Sequence, residues 1–81
     1  MVYIIKGFKW FDKVNGNTYN SYVIFNEDGR IVNRGNLEYG YGNDYFYRGK
    51  KWLEENIAGD YKIVDVGASY TTKKNARMWS D

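Results

Sequence analysis

The sequence predicts a small α+β domain: a mainly antiparallel sheet of about four strands with one helix packed on one face, in the order β-β-β-α-β. Three observations carry that expectation. Stretches of alternating β-branched and aromatic residues are separated by Asn and Gly. One stretch instead repeats its apolar residues at helical spacing, between an Asn-Asp start and a Gly stop. The chain has 81 residues, enough for one core and one surface only.

The first strand is expected over 2–11. Its alternation splits Val2, Ile4, Phe8 and Trp10 from Tyr3, Ile5, Lys9 and Phe11, so both faces are apolar, as in a central strand or one whose second face binds something. Asn15-Gly16-Asn17 is a turn signal, because Gly and Asn accept positive φ cheaply. The return strand, 18–25, places Tyr19, Val23 and Phe25 on one face and Tyr22 and Ile24 on the other. Asn26-Glu27-Asp28-Gly29 is a second turn, and 30–37 is polar and contains Gly35, which reads as a poorer edge strand. After Tyr39-Gly40-Tyr41-Gly42, Asn43 or Asp44 can cap a helix running to about Ile57, with Gly59 as its stop. Tyr45 or Phe46, Gly49, Trp52 or Leu53, and Ile57 share one side of that helix, while Lys50, Lys51, Glu54 and Glu55 cover the other. A last strand is expected over 62–70. Residues 1–81 thus form a single domain, with 72–81 a flexible basic tail lacking any apolar period. Proline is absent, so Gly and Asn supply all the punctuation.

One helix on one face leaves the other face of the sheet open unless something else packs there, and that open face is the main clue to function. Composition narrows the chemistry. Nine Tyr, four Phe and three Trp can build a core despite a mean hydropathy of -0.72. The absence of Cys and His removes thiol nucleophiles, disulfides, the usual zinc sites and His-based acid/base pairs, so no enzyme activity, cofactor or metal is expected. The net charge of +2 is too small to imply nucleic acid by bulk attraction. The positive charge gathers at the two ends, in Lys6, Lys9 and Lys13 and in Lys73, Lys74 and Arg77. No apolar run is long enough to span a membrane, and the chain reads as cytosolic.

Each candidate site competes with a plainer reading. Tyr39-Gly40-Tyr41-Gly42 before a helix could cradle a phosphate, but Asp44 would repel one, and a tight loop anchored by its tyrosines accounts for the same residues. Rings interleaved with Lys6, Lys9 and Lys13 could stack single-stranded nucleic acid, or could simply fill the core. Lys73 to Trp79 could dock a partner or be a solvated end. The carboxylate pairs Glu27-Asp28 and Glu54-Glu55 are adjacent in sequence and point apart, which argues against acid/base work.

Three segments, Asn17-Thr18-Tyr19-Asn20-Ser21, Tyr39-Gly40-Tyr41-Gly42-Asn43-Asp44-Tyr45 and Val66 to Lys74, resemble a family of small uncharacterised bacteriophage proteins with Asn-Thr-Tyr-x-Ser and Tyr-Gly-Tyr-Gly-x-x-Tyr motifs. The resemblance spans most of the chain and implies a viral origin without a mechanism. Asn20 stands where the family pattern often has His, and Arg48-Gly49-Lys50 replaces small helix formers. By analogy of size and design, such chains are similar to inhibitors of host defence, for example anti-CRISPR proteins. The expected function is therefore a virus-encoded, non-enzymatic protein that acts in the host cytoplasm and blocks a host protein or nucleoprotein complex. Trp10, Tyr22, Tyr39, Tyr41, Lys73, Lys74 and Arg77 are its expected contact residues. The competing reading is a small nucleic-acid-binding module using aromatic and basic residues, and a third makes the open face a homodimer interface.

Overall fold

The computed structural model describes residues 1–78, apart from the side chains of Asn75, Arg77 and Met78; residues 79–81 lie outside the described residues. The elements are β1 (Val2–Asp12), β2 (Asn17–Asn26), β3 (Ile31–Arg34), β4 (Glu38–Tyr39), α1 (Asp44–Asn56), β5 (Lys62–Tyr70) and α2 (Lys73–Met78). The fold is α+β, as expected, but the sheet has five strands and is mixed. Its order is β3-β2-β1-β5, and the short β4 pairs with β2 farther along the edge that β3 occupies.

β1 and β2 form the long antiparallel hairpin, in register from Tyr3↔Asn26 to Asp12↔Asn17. Its turn is closed locally. The Asp12 carboxylate accepts from the Val14 backbone N–H and the Asn15 side chain, Gly16 N–H donates to the Asp12 carbonyl, and Gly16 takes the positive φ of 69°. The hydrogen bond from Asn15 also lowers the Asp12 carboxyl below its ordinary value.

β5 is what makes the sheet mixed rather than purely antiparallel. It lies parallel to β1, from Val2↔Lys62 to Lys9↔Tyr70, with a bulge between Ile5 and Gly7. α1 is the crossover that makes this possible, because it carries the chain back along the sheet before β5 begins. Lys62 N–H donates to the Met1 carbonyl and fixes the start of β5 beside the start of β1.

α1 covers one face. Tyr45, Gly49 and Leu53, spaced four apart, are its buried residues, and they meet Tyr3, Ile5, Tyr22 and Ile24 from β1 and β2. A Cβ on Gly49 would sit 3.1 Å from Ile5 Cδ1, so this glycine allows the helix its close approach at some cost in helix propensity. The helix starts at Asp44 as the sequence suggested, although Asn43 makes no side-chain capping bond. The opposite face holds the second departure. The segment expected to be a flexible tail contains α2, which lies on that face with Ala76 fully buried. The buried Ser21 hydroxyl donates to the Ala76 carbonyl at 2.9 Å and ties the two together.

The Tyr45 hydroxyl donates to the Asp65 carboxylate at 2.8 Å. Burial, reinforced by that bond, pushes its pKa from 10.0 up to about 12. The folded chain thus keeps a proton that an unfolded tyrosine releases near 10.0, so the stability this group contributes is complete below that pH and is lost as pH rises towards about 12. Tyr45→Phe is expected to flatten the decline of the urea midpoint across that interval. An unchanged slope would assign the decline to other groups.

Candidate functional site

The register of three strands builds one aromatic ladder. Pairing of β1 with β2 sets Trp10 opposite Tyr19, and pairing of β4 with β2 sets Tyr39 opposite Tyr19, all on the α2 side of the sheet. Trp10 and Tyr19 stack at 5.4 Å between centroids with 30° between planes. Tyr19 meets Tyr39 edge-on at 5.9 Å, and Tyr39 meets Tyr41 edge-on at 5.2 Å. The Tyr39 hydroxyl donates to that of Tyr41 at 2.7 Å, and this bond holds the Tyr39 pKa above its ordinary value.

The ladder is graded in exposure. Trp10 and Tyr19 are half-buried, whereas Tyr39 and Tyr41 are 54% and 56% exposed. At its inner end the Lys73 ammonium lies 5.1 Å from the centre of the Trp10 ring, a cation–π contact delivered by α2. Thr71 N–H donates to the Lys9 carbonyl just before α2, so the helix leaves the sheet beside the ladder.

A polar cluster beneath fixes the outer rungs. Arg48, on α1, sends Nη1 to the Asn20 carbonyl at 3.1 Å and to Asn20 Oδ1 at 2.8 Å, and Nη2 to the Asn36 carbonyl at 2.6 Å and to Glu38 Oε2 at 2.9 Å. Its guanidinium lies 5.3 Å from the centre of the Tyr22 ring. One planar side chain therefore ties α1 to β2, to the loop after β3 and to β4, which carries Tyr39. Asn20 is fully buried, and its Nδ2 is the one buried side-chain polar atom among the described residues without a hydrogen-bond partner. It lies 2.8 Å from where a Cβ on Gly40 would be, and the Asp44 carboxylate crowds the same position. Gly40 is thus a packing requirement of the loop, and Asp44 stands where a bound phosphate would be repelled.

The structure brings together Trp10, Tyr39, Tyr41 and Lys73 of the expected contact residues. Lys74 is exposed on α2, and the Arg77 side chain and Trp79 lie outside the described residues. Tyr22 is placed elsewhere. It is 5% exposed, on the α1 side, and accepts a hydrogen bond from Asn33, so it serves the core rather than the surface. Tyr19, the middle rung, is the residue sequence reasoning missed as a contact. The four-residue loop 13–16 sets it opposite Trp10, whereas a two-residue turn at Asn15-Gly16 would have set it opposite Asp12, so the turn signal alone did not place it. No family model, curated protein or solved structure matches this chain.

Proposed function

We propose that the chain is a virus-encoded, non-enzymatic binding protein that blocks a host protein or nucleoprotein complex in the host cytoplasm, an inhibitor of the anti-defence, anti-CRISPR kind, and that it binds through the ladder. The viral part of this reading rests on the resemblance of the three segments to phage proteins. The binding part rests on one observation: Tyr39 and Tyr41 stand exposed, yet each is braced by a neighbouring ring and by their shared hydroxyl bond. Rings held rigid before contact lose little conformational freedom on docking, and tyrosine and tryptophan dominate the energetics of protein interfaces. Lys73 adds a positive charge at the inner end that favours an acidic partner surface.

Base stacking on the same surface is disfavoured by the geometry. Tyr19 already stacks on the Trp10 indole and Lys73 approaches the same ring, so the largest ring is engaged within the protein.

The experiment is a tagged pull-down from bacterial lysate, with and without nuclease, using the wild type and a Tyr39→Ala/Tyr41→Ala variant. A stoichiometric host protein that survives nuclease, and whose affinity falls at least about thirtyfold in the variant, is the expected result. Circular dichroism should show the variant folded, because both side chains are exposed. Capture that vanishes with nuclease would move the nucleic-acid reading into first place, and undiminished capture by the variant would remove the ladder from the interface.

A further inference from the structure

The ladder occupies one end of the α2 side of the sheet, and the other end of that side carries an apolar strip that the ladder does not use. Register sets four side chains in one row across four strands: Ile31 opposite Phe25, Phe25 opposite Ile4, and Ile4 opposite Val64. None of the four is part of the core under α1. Ile4 and Phe25 are half-buried, and Ile31 and Val64 are 38% and 44% exposed. α2 is anchored on the row of Phe8 and Ser21, four residues or about 13 Å away along β1. Its six residues reach about 9 Å, so among the described elements the strip is left as a shelf beside it.

The strip selects the shape of what it holds. β1 and β2 are inner strands whose backbone groups pair with their neighbours, so an extended chain laid here would find no partners for its own N–H and C=O groups. A helix satisfies its backbone internally and docks by a stripe of side chains. A flat membrane is held off by α2, which stands about 10 Å proud of the sheet next to the strip.

Positive charge rims the strip on both flanks. Lys6 and Arg34 lie in the next row towards α2, and Lys62 lies in the row beyond the strip. Arg34 and Lys62 are exposed, and the Lys6 ammonium rests 5.6 Å from the centre of the Phe8 ring. None of the three has a carboxylate partner among the described residues, whereas Arg48 and Lys51, on α1, both have one.

We propose that this strip is a docking site for an acidic amphipathic helix of a partner protein. The helix lies beside α2, packs its apolar stripe on Ile31, Phe25, Ile4 and Val64, and sets carboxylates against Lys6, Arg34 and Lys62. It completes the layer that α2 begins.

The test selects, against the immobilised full chain, a displayed library of helices about four turns long, with leucine fixed along one stripe and Glu, Gln or Lys at every flanking position. The enriched peptides are then synthesised and titrated into isotope-labelled protein. Expected are Glu-rich flanks and amide shift changes gathered at 4–6, 23–25, 31–34 and 62–64. Arg34→Glu/Lys62→Glu, on exposed side chains, should weaken binding at least about tenfold. No enrichment above the bare support, flanks in which Gln or Lys is as frequent as Glu, shift changes confined to Trp10, Tyr19 and Tyr39, or equal affinity for the double variant would each overturn the proposal. In the free chain, nuclear Overhauser contacts from Trp79 to Ile4 or Phe25 would give the strip to the residues after α2, and a dimer in light scattering that Ile31→Glu dissolves would give it to a second copy. Either result also overturns it. None of these outcomes bears on whether a host protein binds through Tyr39 and Tyr41, so the two readings fail separately.

Discussion

Arg48→Ala should lower the stability of this chain by about 3 kcal/mol, because it strands buried acceptors as well as deleting a charge. For a domain of this size that corresponds to a fall in Tm of roughly 12–24 °C. The Asn20 carbonyl and Oδ1 lose their shared donor inside a residue with no exposed surface, and the Asn36 carbonyl and Glu38 lose theirs. Arg48→Lys should recover less than half of the loss, since a point charge cannot reach separate acceptors with a planar fork. Urea titration measures both, and a midpoint unchanged in Arg48→Ala would show that water replaces the guanidinium without cost. The same variant frees β4, so partner binding through Tyr39 should weaken although Arg48 itself lies on the other side of the sheet.

Gly7→Val is the second large expected loss, again about 3 kcal/mol, by overpacking. Gly7 is buried in the central strand, and a Cβ there would lie 2.6 Å from Tyr45 Cδ2 and 2.9 Å from Ala68 Cβ. Both neighbours are held, Tyr45 by α1 and its bond to Asp65, and Ala68 by the pairing of β5 with β1. Pairing Gly7→Ala with Ala68→Gly relieves one of the two clashes, so the double variant should be more stable than Gly7→Ala corrected for the cost of Ala68→Gly alone. Strict additivity of the two changes would mean that the strands spread apart instead of clashing.

What the sequence discloses divides along range. The hairpin, the limits of α1 and the span 62–70 of β5 follow from local signals: turn residues, apolar period and β-branched runs. The facing of β2 followed too, with Tyr22 and Ile24 opposed to Tyr19, Val23 and Phe25. Choosing partners is not local. That β5 would lie parallel beside β1, and that two residues of β4 would pair with β2, depends on groups far apart in the chain. α2 escaped notice because its one anchor among the described side chains, Ala76, gives no apolar period, and its hold on the sheet comes from Ser21, 55 residues earlier. Of the candidate site, the tyrosines of the Tyr39–Tyr41 loop were visible as rings next to glycine, whereas the assignment of Tyr22 to the core needed the position of α1. The Arg48 cluster had no signal beyond a cation on a helix, since its acceptors come from three other segments.

The parallel partnership of β1 and β5 also sets a timetable. Val2 meets Lys62, and Lys9 meets Tyr70, so one side of the central strand stays bare until β5 has been synthesised and released from the ribosomal tunnel. The hairpin can zip early, in microseconds, but sheet completion must wait for a loop closure spanning most of the molecule and is expected to limit the folding rate to the slower range of small domains. A nascent chain arrested before Lys62 would present the unpaired edge of β1 to its surroundings, which makes the interval before β5 emerges the time when this domain is most exposed to aggregation and to chaperones.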